Sequence, residues 1–317
     1  MSAGAKERIA VIGGGMMGSG IAQIFAAAGH EVMLQDIYPE ALDRAPGTVR
    51  GNLTFLAQRG LFGADQVEAA VARVTTTTDL RAAAARADFV VECVFEDLAL
   101  KQQVFEQLDD ICPPRTILAT NTSVMSIGEI GSRVRHKERV VGTHFWNPPY
   151  LIPLVEVVRT EHTAPEVVER TMALLRSVGK HPIDCKKDVP GFVANRLQHA
   201  LWREAVSIVE HGIADAATVD ESIRYGFGLR LPVLGPLENA DMVGLDLILS
   251  IHDYILPHLE SSGAPSPILK EKVARGELGF KSGRGFLEWT PEHIAASRQR
   301  LVEHLVWITK DLEARET

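Results

Sequence analysis

His144 and Glu156 stand on two neighbouring predicted strands, and together their side chains could act as a general base. Glu156 lies within Leu154–Val158, where the surrounding residues are aliphatic, and a carboxylate in such a strand is costly unless it is paired. An imidazole is a natural partner, because a carboxylate can fix the tautomer of His144 and strengthen it as a base. Such a pair could take the proton of a substrate hydroxyl. The residues alone leave open a core histidine with a satisfied hydrogen bond and a glutamate at an exposed edge.

Polar residues also follow other predicted strands. Ser123 comes directly after one, where its hydroxyl could bind a substrate oxygen or cap the helix that follows. Glu96 and Lys101 follow the fourth strand and could meet a cofactor, although a solvated loop charge and a helix-surface lysine are the simpler interpretation of isolated residues. Asn195 begins a predicted helix, where it could face a cleft, cap the helix or be a surface amide.

The N-terminal part of the chain has a glycine-rich turn between a predicted strand and a predicted helix, with the pattern G-x-G-x-x-G over residues 13–18. Gly13 would permit the tight turn, Gly15 the approach of a pyrophosphate, and Gly18 close packing of the helix on the sheet. Asp36 ends the next strand, where it could accept ribose hydroxyls and repel a 2′-phosphate, which favours NAD over NADP. The sequence therefore predicts a dinucleotide site, and a tight turn without a ligand is the alternative.

Strand-like and helix-like segments alternate through about the first 185 residues, a pattern typical of a doubly wound sheet in an α/β protein. The carboxyl ends of parallel strands share one edge, where ligands bind, so the candidate residues are expected to converge there. Beyond Lys186–Gly191 only helices are predicted. We expect a Rossmann-type NAD-binding domain over residues 1–188 and an all-α substrate and dimerisation domain over residues 189–317.

Three finer expectations concern helices and surface charges. One helix is predicted over residues 239–259, and an exposed helix is predicted over residues 291–313. Lys180, Lys186 and Lys187 are expected on a solvated surface.

The composition excludes several classes of protein. The chain has 317 residues, a net charge of −8 and three cysteines. The negative charge argues against a nucleic-acid partner, and no apolar stretch is long enough to span a membrane. The N-terminus has no secretion-signal pattern, and the cysteines have neither metal nor disulfide spacing, which favours a reducing cytoplasm. We expect a cytoplasmic protein that binds a small molecule and has no metal.

Together these motifs resemble the 3-hydroxyacyl-CoA dehydrogenase family over nearly the whole chain. The resemblance is carried by the glycine-rich turn, Val91–Leu98 with Lys101, Thr120–Ser123, His144–Pro148, Leu154–Val157, Asp188–Leu197, Gly235–Glu238, Asp241–Asp246 and Lys281–Phe286. It implies a Rossmann-like domain, a helical domain that forms a homodimer, and NAD-dependent oxidation of a hydroxyl group.

The resemblance also implies a role for each matching residue. His144 would be the general base and Glu156 its orienting partner, while Ser123 and Asn195 would hold the substrate oxygens. Asn147 would support the loop of His144. The expected cofactor-binding residues are Gly13, Gly15, Met16, Met17, Gly18, Asp36, Glu96, Lys101, Asn121 and Asn147.

The family predicts oxidation of an L-3-hydroxyacyl-CoA to its 3-keto product, as in fatty acid metabolism. Pro153 departs from the acyl-CoA pattern, in which a lysine often precedes the Leu154–Val157 strand. Pro148–Pro153 is similar to lambda-crystallin (gulonate dehydrogenase) and to carnitine dehydrogenases, and Tyr225–Pro232 with the extension past Trp289 resembles a formyl-hydroxypyridine-carboxylate dehydrogenase branch. The alternatives are therefore the same chemistry on a small CoA-free hydroxy acid or alcohol, and a crystallin-like protein without turnover.

Overall fold

The computed structural model describes residues 6–316 and contains an eight-stranded sheet. Its strands are β1 (Arg8–Ile12), β2 (Glu31–Gln35), β3 (Val74–Thr77), β4 (Phe89–Glu92), β5 (Ile117–Thr120), β6 (Val140–Phe145), β7 (Leu154–Val158) and β8 (His181–Cys185). They are ordered β3-β2-β1-β4-β5-β6-β7-β8, and every neighbouring pair is parallel except β6 with β7. The predicted doubly wound α/β fold is confirmed. Strand β8 was not predicted, because Pro182 and Asp184 weaken its pattern, and it is tolerated at the edge of the sheet.

Helices connect most of these strands and cover both faces of the sheet. They are α1 (Met16–Ala27), α2 (Pro39–Gln58), α3 (Val67–Ala72), α4 (Leu80–Ala84), α5 (Leu98–Ile111), α6 (Ile127–Ile130) and α7 (Pro165–Ser177).

Strand β1 shows how the sequence builds these layers. Ile9 and Val11 pack into the apolar cluster that includes residues of α1, α2, α3 and α7, whereas Ala10 and Ile12 pack into the cluster on the opposite face with residues of α4, α5 and α6. Because both faces are buried, the strand reads as one apolar run. Polar groups are therefore tolerated mainly at the strand ends, and the carboxyl ends of β1, β4, β5 and β6 share one edge.

The C-terminal part of the chain is helical, as predicted. Its helices are α8 (Ala194–Glu210), α9 (Ala216–Tyr225), α10 (Pro236–Val243), α11 (Leu245–Ile255), α12 (Pro267–Ala274) and α13 (Pro291–Glu316). The single helix expected over residues 239–259 is wrong. Gly244 separates α10 from α11 with a φ of 102°, a conformation that glycine adopts without the penalty of a Cβ.

The described chain packs as two compact units. One comprises the chain up to Asn195 together with the segment from Val302 onwards, and the other comprises Arg196–Leu301. Within the first unit, Val306 of α13 is buried against Leu56 and Leu151, so the expectation of an exposed C-terminal helix is wrong for this part of α13. The domain boundary between residues 188 and 189 stays a prediction. Within residues 6–316, no helix is both long and apolar enough to cross a membrane.

Candidate active site

His144 and Glu156 face each other on β6 and β7, because the antiparallel pairing of these strands sets the two residues in register. Nδ1 of His144 lies 2.8 Å from Oε2 of Glu156. His144 is 5% exposed and Glu156 is 0% exposed, so the alternative of a glutamate at an exposed edge is wrong. Because Nδ1 donates its proton to the carboxylate, Nε2 of the neutral imidazole is the nitrogen that can accept a proton.

The carboxylate of Glu156 is surrounded by N–H groups. Oε1 accepts hydrogen bonds of 2.9 Å from the backbone amides of Val193 and Ala194, and Oε2 accepts a second bond of 3.3 Å from Nε1 of Trp146. Burial would raise the pKa of Glu156, but the bonds from His144 and from the two amides hold this pKa below its usual value. A buried, ionised carboxylate therefore lies directly behind the imidazole.

Two aromatic rings lie against His144. The ring of Trp146 is centred 5.3 Å from the imidazole, and that of Phe192 is centred 5.8 Å from it. Phe192 has a φ of 49° and follows Gly191, whose φ is 76°, so two successive left-handed residues precede the amides that bind Glu156. This conformation is uncommon for a residue with a side chain, and here the Phe192 ring is fully buried. Sequence reasoning gave no role to Trp146 or Phe192, and the Pro190–Gly191 turn was a signal for Phe192 alone.

The polar residues predicted after β4, after β5 and at the start of α8 are joined by hydrogen bonds. Nδ2 of Asn195 donates to the backbone oxygen of Ser123 at 2.9 Å, and the amide of Ser123 donates to Oε1 of Glu96 at 2.6 Å. Oδ1 of Asn121 accepts a bond of 2.8 Å from the amide of Phe145, the residue after His144. Asn147 is exposed beyond the end of β6. The structure thus links the ends of β4, β5 and β6, where the candidate residues were expected to meet.

Lys101 is buried rather than displayed on a helix surface, so that interpretation is wrong. Its side chain is 1% exposed, and Nζ donates to Oε1 of Glu92 at 2.8 Å and to the backbone oxygen of Val94 at 3.2 Å. Nζ also lies 3.4 Å from Oε2 of Glu96. Burial raises the pKa of Glu92, and the charge of Lys101 opposes that effect. Glu92 was not predicted as part of the site, although an acid at the end of an apolar strand was a usable signal.

The three glycines of the N-terminal turn differ in what surrounds them. A Cβ at Gly13, whose φ is 106°, would lie 2.6 Å from the oxygen of Cys93, and one at Gly18 would lie 1.8 Å from the oxygen of Gly13. A Cβ at Gly15 would meet no heavy atom of the described chain within 4 Å. Helix α1, which lies wholly within the described residues, has neither a side-chain N-cap nor an acid in its first turn. Its amides and the open space at Gly15 fit the pyrophosphate of a dinucleotide.

Asp36 lies beside this turn, at the end of β2. Its Oδ2 accepts a bond of 2.6 Å from the amide of Gly14, and its Oδ1 accepts one of 2.9 Å from the amide of Tyr38. Of the two methionines that begin α1, Met16 is exposed and Met17 packs partly against the core. The charge of Asp36 is thus fixed where an adenosine ribose is expected.

Lys180 also differs from its expected solvated position. Its Nζ donates to the backbone oxygens of Pro149 and Ile152, at 3.0 Å for Ile152, and burial lowers the pKa of Lys180 to about 8. Lys186 and Lys187 are exposed as expected.

Two family models match the chain. The 3-hydroxyacyl-CoA dehydrogenase NAD-binding domain matches residues 8–189, and the C-terminal domain of the same family matches residues 191–289.

Individual relatives cover most of the chain. The 5-formyl-3-hydroxy-2-methylpyridine 4-carboxylate 5-dehydrogenase of Mesorhizobium japonicum is 37% identical over 310 residues, which are 98% of this chain and 99% of the relative. A probable 3-hydroxybutyryl-CoA dehydrogenase of Bacillus subtilis is 39% identical over 284 residues, 89% of this chain and 97% of the relative.

Solved structures give the same two groups. A crystal structure of the 5-formyl-3-hydroxy-2-methylpyridine 4-carboxylic acid 5-dehydrogenase, described as an NAD⁺-dependent dismutase, matches with a TM-score of 0.89 and 36% identity over 98% of this chain and 99% of that one. The (S)-3-hydroxybutyryl-CoA dehydrogenase of Ralstonia eutropha matches with a TM-score of 0.76 and 32% identity over 90% of this chain and 100% of that one.

Proposed function

Because the chain belongs to the 3-hydroxyacyl-CoA dehydrogenase family, whose members are NAD-dependent dehydrogenases acting on hydroxyl groups, we propose that His144 and Glu156 form its catalytic base. The observation that carries this proposal is the buried 2.8 Å contact between Nδ1 of His144 and Oε2 of Glu156. NAD, when bound, accepts a hydride from the carbon that bears the hydroxyl. Nε2 of His144 takes the hydroxyl proton, and Glu156 stabilises the imidazolium that forms.

The other candidate residues bind substrate and cofactor. Ser123 and Asn195, joined by their 2.9 Å hydrogen bond, hold the substrate oxygen near His144. The amides of α1 at Gly15 would hold the pyrophosphate, with Gly13 and Gly18 shaping the turn, and Asp36 would hold the adenosine ribose. The remaining cofactor-binding residues of this proposal are Met16, Met17, Glu96, Lys101, Asn121 and Asn147.

Substitution of the two dyad residues tests the chemistry. His144→Gln should lower kcat by roughly 10² to 10⁴-fold, the usual size of a general-base contribution, while NAD binding is retained. In Glu156→Gln the acid limb of the pH–rate profile for oxidation should move to lower pH, because the uncharged amide no longer favours the protonated imidazole. Wild-type rates and pH profiles in both variants, with NAD binding measured by fluorescence titration, would remove the base assignment.

For the substrate we propose a small carboxylate that carries a hydroxyl or hydrated aldehyde and has no CoA. The observation in its support is α13, which begins beyond the 191–289 match of the family model and packs against Leu151 between the dyad strands. One of the relatives that match across this extension is named as a dehydrogenase of a pyridine carboxylate. An L-3-hydroxyacyl-CoA is the second candidate, favoured by the 39% identity to the Bacillus relative. The paired His144 and Glu156 argue against a protein without turnover.

NADH formation distinguishes these substrates. We expect hydroxymethyl- or formyl-pyridine carboxylates, gulonate or carnitine to exceed L-3-hydroxybutyryl-CoA by at least tenfold in kcat/KM, about 1.4 kcal/mol of transition-state discrimination. The reverse ranking would reject the CoA-free proposal and support a role in fatty acid metabolism. No turnover of any of them would favour the crystallin-like alternative.

We also propose a cytoplasmic homodimer. Helices α9, α10 and α11 have no buried residues, and α11 exposes the aliphatic side chains of Leu245, Leu247, Leu249, Ile251 and Ile255. A second copy of this chain is the expected partner for this surface, because closed two-fold dimers are the commonest assembly. The free thiols of Cys93, Cys112 and Cys185 support a reducing compartment.

A further inference from the structure

Trp146 contacts both members of the proposed dyad. Its ring is centred 5.3 Å from that of His144, and its Nε1 lies 3.3 Å from Oε2 of Glu156. The same oxygen accepts the 2.8 Å bond from Nδ1 of His144. Oε1 is already bound by the amides of Val193 and Ala194, so the indole supplies the fourth N–H donor to this carboxylate. A carboxylate can accept about four hydrogen bonds, so the acceptor capacity of Glu156 is fully used.

We propose that Trp146 is a positioning residue that weakens the hold of Glu156 on protonated His144 by sharing Oε2 with the imidazole. This inference rests on the proposed role of the dyad. A donor that shares an acceptor oxygen draws electron density from it and leaves less for the competing donor. The protonated imidazole is therefore less favoured than it would be beside a carboxylate bound only by backbone amides, and His144 stays competent as a base to lower pH.

The other groups around the dyad do not mimic this effect. Cys185 on β8 is close enough to Glu156 to be affected by its charge. Burial, together with the charges of Glu156 and Asp184, raises the pKa of the thiol to about 12, so the thiol is uncharged at neutral pH. On the opposite side the carboxylate meets the neutral amides of Val193 and Ala194. Among the described residues, His144 is the one titratable side chain whose hydrogen bond, and whose charge when it is protonated, lowers the pKa of Glu156. A change in the pH behaviour of the dyad on altering the indole can therefore be traced to Oε2.

Trp146→Phe tests the proposal, because it keeps a ring against His144 and removes only the N–H donor. We expect the acid limb of the pH–rate profile to rise by about half a pH unit, which is a fraction of the strength of one hydrogen bond to a charged group. This direction is opposite to that expected for Glu156→Gln. If the indole had only a structural role, its loss would weaken the hydrogen bond between His144 and Glu156 and move the acid limb to lower pH. The direction of the shift therefore separates the proposed role from a purely structural one.

Trp202→Phe is the matched control. Trp202 also lies beside an imidazole, with its ring centred 5.1 Å from that of His199, but it is on α8 and half-exposed. We expect its removal to leave the acid limb where it is in wild-type protein. An equal shift in both variants would show that loss of an indole acts through general structure, and would overturn the proposal.

A second readout is independent of turnover. In histidine-labelled protein without cofactor, the NMR titration of His144, assigned by its absence in His144→Gln, should move upward by the same half pH unit in Trp146→Phe. In the Glu156→Gln background, Trp146→Phe should cause no further shift, since the shared carboxylate oxygen is gone. Folded Trp146→Phe with an unchanged titration, or a shift of the same size in the Glu156→Gln background, contradicts the proposal. Failure of the proposed function is distinguishable from these outcomes: if His144 and Glu156 were not the catalytic base, His144→Gln would keep full activity.

Discussion

At the scale of single residues, the candidate site is built from buried charges that are compensated within the chain. Glu156 is held by His144 and two backbone amides, and Glu92 by Lys101. Leaving any one of these buried charges unpaired costs several kcal/mol. The two members of each pair therefore hold each other in place. Asp36 differs, because within residues 6–316 its carboxylate bonds only amides of the turn and of the next loop, and no cation of this part of the chain pairs with it.

The charge of Asp36 should decide between NAD and NADP. We expect wild-type protein to prefer NAD by at least tenfold in kcat/KM, about 1.4 kcal/mol, because the carboxylate repels a 2′-phosphate. Asp36→Asn keeps an acceptor for the amides of Gly14 or Tyr38 and removes the charge, so the preference should fall. Glu40→Gln, at an exposed position in the first turn of α2, is the matched control and should retain it. Equal rates with both cofactors in wild-type protein would contradict this role.

At the scale of elements, the loop from β6 to β7 is held from several sides. The ring of Pro149 leaves no room for a side chain at Gly20 of α1, since a Cβ there would lie 2.5 Å from its Cγ. Lys180 binds two of the loop's backbone oxygens, and Oγ1 of Thr309 on α13 lies 3.3 Å from the oxygen of Leu151 and 2.8 Å from that of Leu305. Because this loop joins the two strands that carry His144 and Glu156, we expect α13 to affect the geometry of the pair.

Val306→Asp should release α13 from this loop. A charge placed among Leu56 and Leu151 should lower the free energy of unfolding by about 2–3 kcal/mol, and kcat should fall with it. Hydrogen exchange followed by mass spectrometry should then show faster exchange over residues 148–153, with β4 unchanged. Lys310→Asp, on the exposed face of the same helix, is the control. Unchanged protection of residues 148–153 in a folded variant would show that α13 does not position the loop.

At the scale of the whole molecule, the two units differ in how they bury apolar side chains. In the unit that contains the sheet, one apolar cluster packs on each face of the sheet. The unit Arg196–Leu301 instead leaves many large aliphatic side chains exposed. Exposed apolar surface of this extent is typical of an interface.

The dimer should appear in solution as twice the chain mass of 34.6 kDa. Light scattering at micromolar concentration measures this mass directly. Leu245→Asp combined with Leu249→Asp places two charges on the exposed face of α11 and should shift the mass towards that of one chain, because buried unpaired charges are costly at an interface. Circular dichroism checks that the variant stays helical. A wild-type mass equal to that of one chain would reject the dimer.

The sequence by itself predicted the elements whose signal is local. The glycine turn, the buried strands and most helices follow from residue spacing, because a tight turn needs glycine and a strand buried on both faces needs an apolar run. Errors arose where local signals conflict with tertiary context, as in β8 with its proline at the sheet edge, and at Gly244 within an otherwise helical pattern.

Tertiary structure decided which side chains meet. The antiparallel pairing of β6 with β7 sets His144 opposite Glu156; the short connection over residues 146–153 favours an antiparallel pair, but it does not fix which residues stand opposite each other. The burial of Lys101 depends on Glu92 at the end of another element, and the indole of Trp146 reaches Glu156 across a strand pair. The physical reason is that such contacts join residues distant in the chain, so their energies depend on packing, which residue spacing alone does not encode.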